Sequence, residues 1–262
     1  MKESIRKFAL EAGGEFVGFA YVSDYESPRS PSIEKLFPAA KSIVVIAYAE
    51  LSTCESPSPQ IAMNGRMDLM EFSRSVNYKV ARFIERKLGA AAMTVPISYP
   101  LEMSMETMGG VGEVSLRHAA VAAGLGAFGR HNLVIHPELG TRVLFTAILT
   151  DLDLPSDPKA GEDLCIDCGL CVENCPAGAL DKEGFTDFSG CLKNSQPYGL
   201  GGMIRFWSQV FETPEQERKK LFYDSHYWKL YQAGFIGFQY VCWKCMASCP
   251  VGSKKGQTPP TP

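Results

Sequence analysis

Eight of the nine cysteines fall between 165 and 249, and their spacing is the chemical signal of this chain. "CIDCGLCVENCP" (165–176) sets Cys165, Cys168 and Cys171 at C-x2-C-x2-C and follows them with Cys175-Pro176. Three cysteines so spaced wrap one four-iron cluster, and the cysteine before proline turns toward a second. Zinc needs only C-x2-C pairs, which leaves the third evenly spaced cysteine unexplained. The second motif, "CWKCMASCP" (242–250), holds Cys242, Cys245 and Cys249 and is one cysteine short. If the two motifs exchange their last cysteines, one cluster takes Cys165, Cys168, Cys171 and Cys249. The other has Cys175, Cys242 and Cys245, and Cys191 of "FSGCLKN" is the remaining cysteine of the region. The alternative is a three-iron cluster or an exogenous ligand, with Cys191 a small buried side chain. Cys54, alone in a Ser/Pro-rich loop, reads as structural. Two clusters bridged in this way form a wire, and a wire needs a terminus.

The remaining 150-odd residues must supply that terminus. The 262 residues are 45% apolar and 21% charged, the makeup of a soluble globular protein. The longest apolar run, "SIVVIAYA" (42–49), is too short to span a bilayer, so no membrane is expected. A formal charge of −3 argues against a nucleic-acid partner, which calls for a basic face. The N-terminus shows neither an apolar signal core nor a twin arginine, and the expectation is a cytoplasmic protein. In that reducing compartment clustered cysteines mean metal rather than disulfide.

Apolar spacing predicts a helix over 2–12 ending at Gly13-Gly14, a strand in "EFVGFAYV" and a buried central strand in "KSIVVIAYA". Residues 51–64 read as loop, 66–88 as a long amphipathic helix, and "AMTVPISYP" as a short strand. A glycine-rich turn in "METMGGVGE" precedes a short helix in "VSLRHAAVAAGLG", and two strands flank the "PELG" turn. "PSDPKAGED" (155–163) marks a boundary between an α/β domain, 1–155, and a cysteine-rich domain, 156–262. The second domain carries a helical insert at about 201–232 and a frayed tail, "GSKKGQTPPTP".

"RHAAVAAGLGAFGRHNLVIHPELGTRVLFTAILTDLDLPSD" (117–157), with the eight-cysteine region behind it, resembles the corrinoid-dependent iron–sulfur reductases. That superfamily includes epoxyqueuosine reductases and reductive dehalogenases. The resemblance implies an α+β protein: a nitroreductase-like α/β domain holding cobalamin beside a ferredoxin-like domain with two [4Fe-4S] clusters. It implies that the cluster of Cys175, Cys191, Cys242 and Cys245 is the nearer to cobalt. Corrinoid contacts then fall on Val134, Phe145, Lys193 and Trp243, the catalytic arginine on Arg117, and candidate acids on His131 and Tyr99, with His118 behind them. Epoxyqueuosine reductases carry an acid in D-x3-P-x-E-R-x5-AGLG. Here Arg117 keeps the arginine, but Leu116 and Gly110 stand at the two acidic positions. The implied partners are an electron donor such as ferredoxin or flavodoxin, and a small-molecule substrate or a corrinoid partner protein. The reading therefore divides between a corrinoid reductase, a corrinoid-handling or electron-transfer protein without substrate chemistry, and a flavin-binding reductase.

Overall fold

In the strand "SIVVIAYA" every residue up to Tyr48 is buried, so both faces of the sheet at this strand must be covered. The computed structural model describes residues 1–97, 104, 110–182, 185–236 and 241–252. The N-terminal part runs α1 (Lys2–Glu11), β1 (Phe16–Tyr21), α2 (Ile33–Leu36), β2 (Ser42–Ala49), α3 (Pro59–Leu88), β3 (Ala92–Thr94) and α4 (Leu116–Ala122). It continues with β4 (Ala127–Phe128), β5 (Val134–Ile135) and β6 (Val143–Thr150). Four of these strands form one sheet in the order β1-β2-β6-β3, and every pairing in it is antiparallel. β4 and β5 make a separate two-stranded ribbon.

Side chains alternate across the sheet, and the alternation sorts the core into two layers. Ile43, Val45 and Ala47 of β2, with Phe145 and Ala147 of β6, face Ala119, Ala120 and Ala123 of the α4 segment. Val44, Ile46 and Ile148 face the other way, onto Ile5 and Ala9 of α1 and Val76, Val80 and Ile84 of α3. A buried hydrogen bond from Thr146 Oγ1 to Asn77 Oδ1 (2.6 Å) pins α3 across β6. The helix α3 starts at Pro59, seven residues before the expected start at 66. A proline in the first turn loses no helical hydrogen bond, because its missing N–H is one of the orphan donors there.

Residues 155–158 do not hang free between two units. Asp157 N–H donates to Phe19 O (2.9 Å), and its carboxylate accepts from Phe19 N–H and from Arg6. Ser156 Oγ accepts from Tyr21 N–H, and the Pro158 carbonyl lies over Gly124. β1 is an edge strand, and this segment covers its open backbone groups.

Beyond that strap the chain forms α5 (Leu170–Glu173), α6 (Phe188–Ser195), α7 (Leu200–Glu212), α8 (Glu215–Leu221), α9 (Ser225–Ile236) and α10 (Lys244–Ala247). The expected insert is therefore three helices, α7 to α9, packed on Phe206, Val210 and Leu230. No helix among the described residues is long and apolar enough to cross a membrane. Most of the "METMG" turn and nearly all of the frayed tail lie outside the described residues.

Candidate functional site

The eight clustered thiols gather into two sets. Cys165, Cys168, Cys171 and Cys249 wall one small pocket. Burial and the neighbouring Cys168 and Cys165 push the thiols of Cys171 and Cys249 up. Two residues with positive φ, Asp167 and Gly169, bend the chain between Cys165 and Cys171. In the other set, burial together with Cys242, Cys191 and Cys175 pushes the Cys245 thiol up to about 12. Cys191 is raised as well, first by burial and then by Cys242 and Cys175. This grouping is the one that exchange of the last cysteine between two motifs produces.

Local structure explains how each set is placed. Cys175 Sγ accepts a hydrogen bond from Ala179 N–H (3.3 Å). Asp187 caps α6 by accepting from Gly190 N–H (3.0 Å), and α6 presents Cys191 one turn later. The end of α6 then holds the residue before Cys242, since Val241 N–H donates to Ser195 O (2.8 Å). Among the described residues no three His, Cys, Asp or Glu side chains converge tightly enough for one metal ion. The donor set of each group, four thiols and no other ligand type, suits a multi-iron cluster.

The "PELGTR" turn clamps the second cysteine motif. Arg142 Nη1 donates to Cys249 O (2.8 Å) and Nη2 to Ala247 O (3.1 Å), while Nε pairs with Glu55. Thr141 Oγ1 donates to Met246 O (2.9 Å). Gly140 sits at φ +59, and a Cβ there would lie 1.8 Å from Val251 O. The turn itself is organised by buried His136, whose Nδ1 accepts from Glu138 N–H (3.1 Å) and Leu139 N–H (3.2 Å). Burial lowers the His136 pKa, which keeps that acceptor unprotonated.

A cavity of about 410 Å³ opens between the sheet and this motif. Val134, Val143, Phe145 and Met70 give it apolar walls; Cys242, Trp243 and Cys245 bring the second thiol set to its side. Arg66 and Arg117 are the charged side chains on its described wall. Arg66 pairs with Glu50, whose side chain is fully buried, and its guanidinium lies 5.3 Å from the centre of the Trp243 ring. Arg117 donates to Asn132 O.

Of the residues expected to meet a corrinoid, Val134, Phe145 and Trp243 line this cavity and Lys193, on α6, does not. Arg117 lines it too. Tyr99 lies outside the described residues. His118 accepts or donates at Ser115 Oγ (2.8 Å) and is not on the cavity wall. His131 is not positioned as an acid for this cavity. It lies in the small pocket of the first thiol set, 5% exposed, with burial lowering its pKa to about 4. Arg66, Arg142 and Glu50 were not among the expected site residues. Their roles rest on contacts between positions far apart in the chain, which no local pattern reveals.

A family model described as a 4Fe-4S binding domain matches residues 159–181, which contain the first cysteine motif. The chain therefore carries a 4Fe-4S binding segment. Epoxyqueuosine reductase of Bacillus cereus is 28% identical over 215 residues, covering 73% of this chain and 55% of that protein. The chain spans about half the length of the curated relatives it matches. The fold is shared with an epoxyqueuosine reductase solved with a tRNA-Tyr stem loop, at TM-score 0.62, 21% identity, 97% of this chain and 66% of that one. It is shared too with a reductive dehalogenase whose structure suggests a mechanism for B12-dependent dehalogenation, at TM-score 0.56, 17% identity, 89% of this chain and 36% of that one. One neighbour is thus a protein with tRNA bound, so the expectation against nucleic acid drawn from net charge finds no support in this comparison. By sequence the chain is similar to the epoxyqueuosine reductases, and it shares its fold with an epoxyqueuosine reductase and a reductive dehalogenase, proteins of the kind its cysteine pattern resembles.

Proposed function

We propose that this chain is a cytoplasmic iron–sulfur reductase carrying two four-iron clusters, one on each thiol set, that delivers electrons to a corrinoid in the 410 Å³ cavity. The observation that carries the reading is that Cys242 and Cys245 stand in the cavity wall. Anything bound there lies against the second thiol set. A corrinoid, when bound, supplies a strongly reducing cobalt centre. Val134, Phe145 and Trp243 would pack against it and exclude water, and Arg117 and the Arg66–Glu50 pair would orient its polar groups or the substrate. Cys168 is exposed, so a donor such as ferredoxin or flavodoxin meets the first thiol set and the second relays inward. In this division residues 1–155 form a nitroreductase-like corrinoid domain and 156–262 a ferredoxin-like domain.

A second reading has a specific observation behind it. Leu116 lines the cavity where the related reductases carry an acid, and no carboxylate stands on the described wall. A chain of that kind would reduce or carry a corrinoid for a partner instead of turning over a substrate itself. The two readings part on whether substrate is consumed without a partner protein, with small molecules and tRNA both offered.

The common core of both is electron delivery. Protein reduced anaerobically and freed of reductant is mixed with cobalamin, and the corrinoid spectrum is followed. We expect about two electrons per chain to reach cobalt, one from each cluster. Cobalamin that is neither retained on gel filtration nor reduced would overturn the proposal and favour flavin as occupant.

A further inference from the structure

His131 lies away from the large cavity, in the pocket of the first thiol set. Its Nδ1 accepts a hydrogen bond from Leu133 N–H (3.1 Å), so the proton of the neutral ring is on Nε2. That Nε2 is buried and has no hydrogen-bond partner among the described residues. A buried donor left without an acceptor loses its hydrogen bond to water and gains nothing in return. The ring forms part of the same pocket wall as Cys165, Cys168, Cys171 and Cys249.

The backbone is built around this ring. Asn132 is at φ +58, and the turn closes with Gly129 N–H donating to Leu133 O (2.9 Å). A Cβ on Gly129 would lie 2.6 Å from His131 Cε1 and 3.1 Å from Nε2, so glycine leaves room for the imidazole. The adjacent Arg130 pairs with Asp167, inside the loop that carries Cys165 and Cys168 (3.3 Å). The 129–133 turn is therefore tied to the first cysteine motif by this ion pair, and His131 forms part of the wall of the same pocket.

We infer that His131 Nε2–H donates a hydrogen bond to a sulfur of the cluster held by Cys165, Cys168, Cys171 and Cys249, and so raises the reduction potential of that cluster relative to its neighbour. The inference rests on the two-cluster reading above. A reduced cluster carries one more negative charge, and a donor to its sulfur stabilises that state more than the oxidised one. The consequence is directional. Raising the outer cluster helps it accept electrons from the donor, so the device serves electron entry rather than the chemistry at the cavity.

The test is an EPR-monitored redox titration of wild-type protein and His131→Phe, with iron counted on each sample. His131→Phe keeps a ring and removes the donor. We expect the potential of one of the two clusters to fall and that of the other to stay. Gly129→Ala should move the same signal in the same direction by displacing the ring. Because either variant can fail to fold, wild-type protein labelled with 15N-histidine is also reduced and its cluster signal examined by pulsed EPR for an imidazole nitrogen coupling. That coupling is expected on one cluster. Unchanged potentials in a variant with full iron, or the absence of any 15N coupling in the wild type, would overturn the inference and leave the two-cluster reading standing. A wild-type chain without two four-iron clusters would overturn the two-cluster reading itself, and the iron count separates that case from the others.

Discussion

Arg142 holds the second cysteine motif by the carbonyls of Ala247 and Cys249 while Glu55 neutralises it from the far side. Hydrogen bonds from a charged donor contribute about 1.5–3 kcal/mol each in such settings. Arg142→Gln should therefore cost about 2–4 kcal/mol. It should also release iron to a chelator faster than wild type. Iron release at the wild-type rate would show that the motif does not depend on this clamp. His136 makes the same turn pH-sensitive. Its pKa is lowered in the folded chain from the ordinary imidazole value of 6.5, by burial first. The stability tied to the neutral ring is therefore complete above about 6.5 and is lost as pH falls below it. Thermal midpoints should decline from pH 7 toward pH 5, and the decline should be shallower in His136→Asn, which offers an acceptor that does not titrate. Equal slopes for the two proteins would contradict this.

At the scale of elements, the device that matters is the meeting of the 137–142 turn with the 245–252 loop. Gly140→Ala places a methyl group 1.8 Å from Val251 O and a side chain at φ +59. The left-handed conformation alone costs about 1–2 kcal/mol. Iron should be lost from both thiol sets, because Cys245 and Cys249 ride on the displaced loop; loss confined to one set would argue against a shared clamp. The strap at 156–158 is a separate element. Burial opposes ionisation of Asp157, but hydrogen bonds and charges from Lys2 and Arg6 outweigh it and the pKa falls. The contribution of this group is present above its unfolded pKa and lost as pH drops through the folded one. Asp157→Asn should cost about 1–2 kcal/mol at neutral pH and flatten the acid limb of the stability curve below pH 4, as measured by chemical denaturation. An acid limb as steep as that of wild type would sink this assignment.

These elements differ in how far the sequence announces them. Strand β2, helix α1 and the turn glycines follow from local periodicity and local backbone needs, and they lie where those needs put them. The start of α3 was hidden because serine and proline serve loops and helix first turns alike. The two cysteine sets are legible because their spacing is local on each side. The clamp is not legible, because Arg142 and Cys249 are 107 residues apart and nothing near either position signals the other. His131 illustrates the same limit: its residue type suggests an acid, and only the fold shows which pocket it enters.

Across the whole molecule the two thiol sets differ in exposure and in their distance from the cavity wall. Cys168 of the first thiol set is open to solvent while its Cys171 and Cys249 are buried; the four cysteines of the second set are half-buried, and Cys242 and Cys245 stand in the cavity wall. In the proposed function these are an entry point, a relay and a terminus, all within a chain that spans about half the length of its curated relatives. The α7–α9 insert stands apart from this line, with Trp207, Phe211, Tyr231 and Phe235 exposed on its surface. The claim that organises the account is that both thiol sets carry clusters and the cavity carries a corrinoid. Its most direct test is to purify the protein without oxygen from cells supplied with corrinoid, and to count iron and cobalt against protein on one sample. The account predicts about eight irons and one cobalt per chain. About eight irons with no cobalt, even after incubation with cobalamin, would contradict the corrinoid terminus. About four irons would contradict the relay itself.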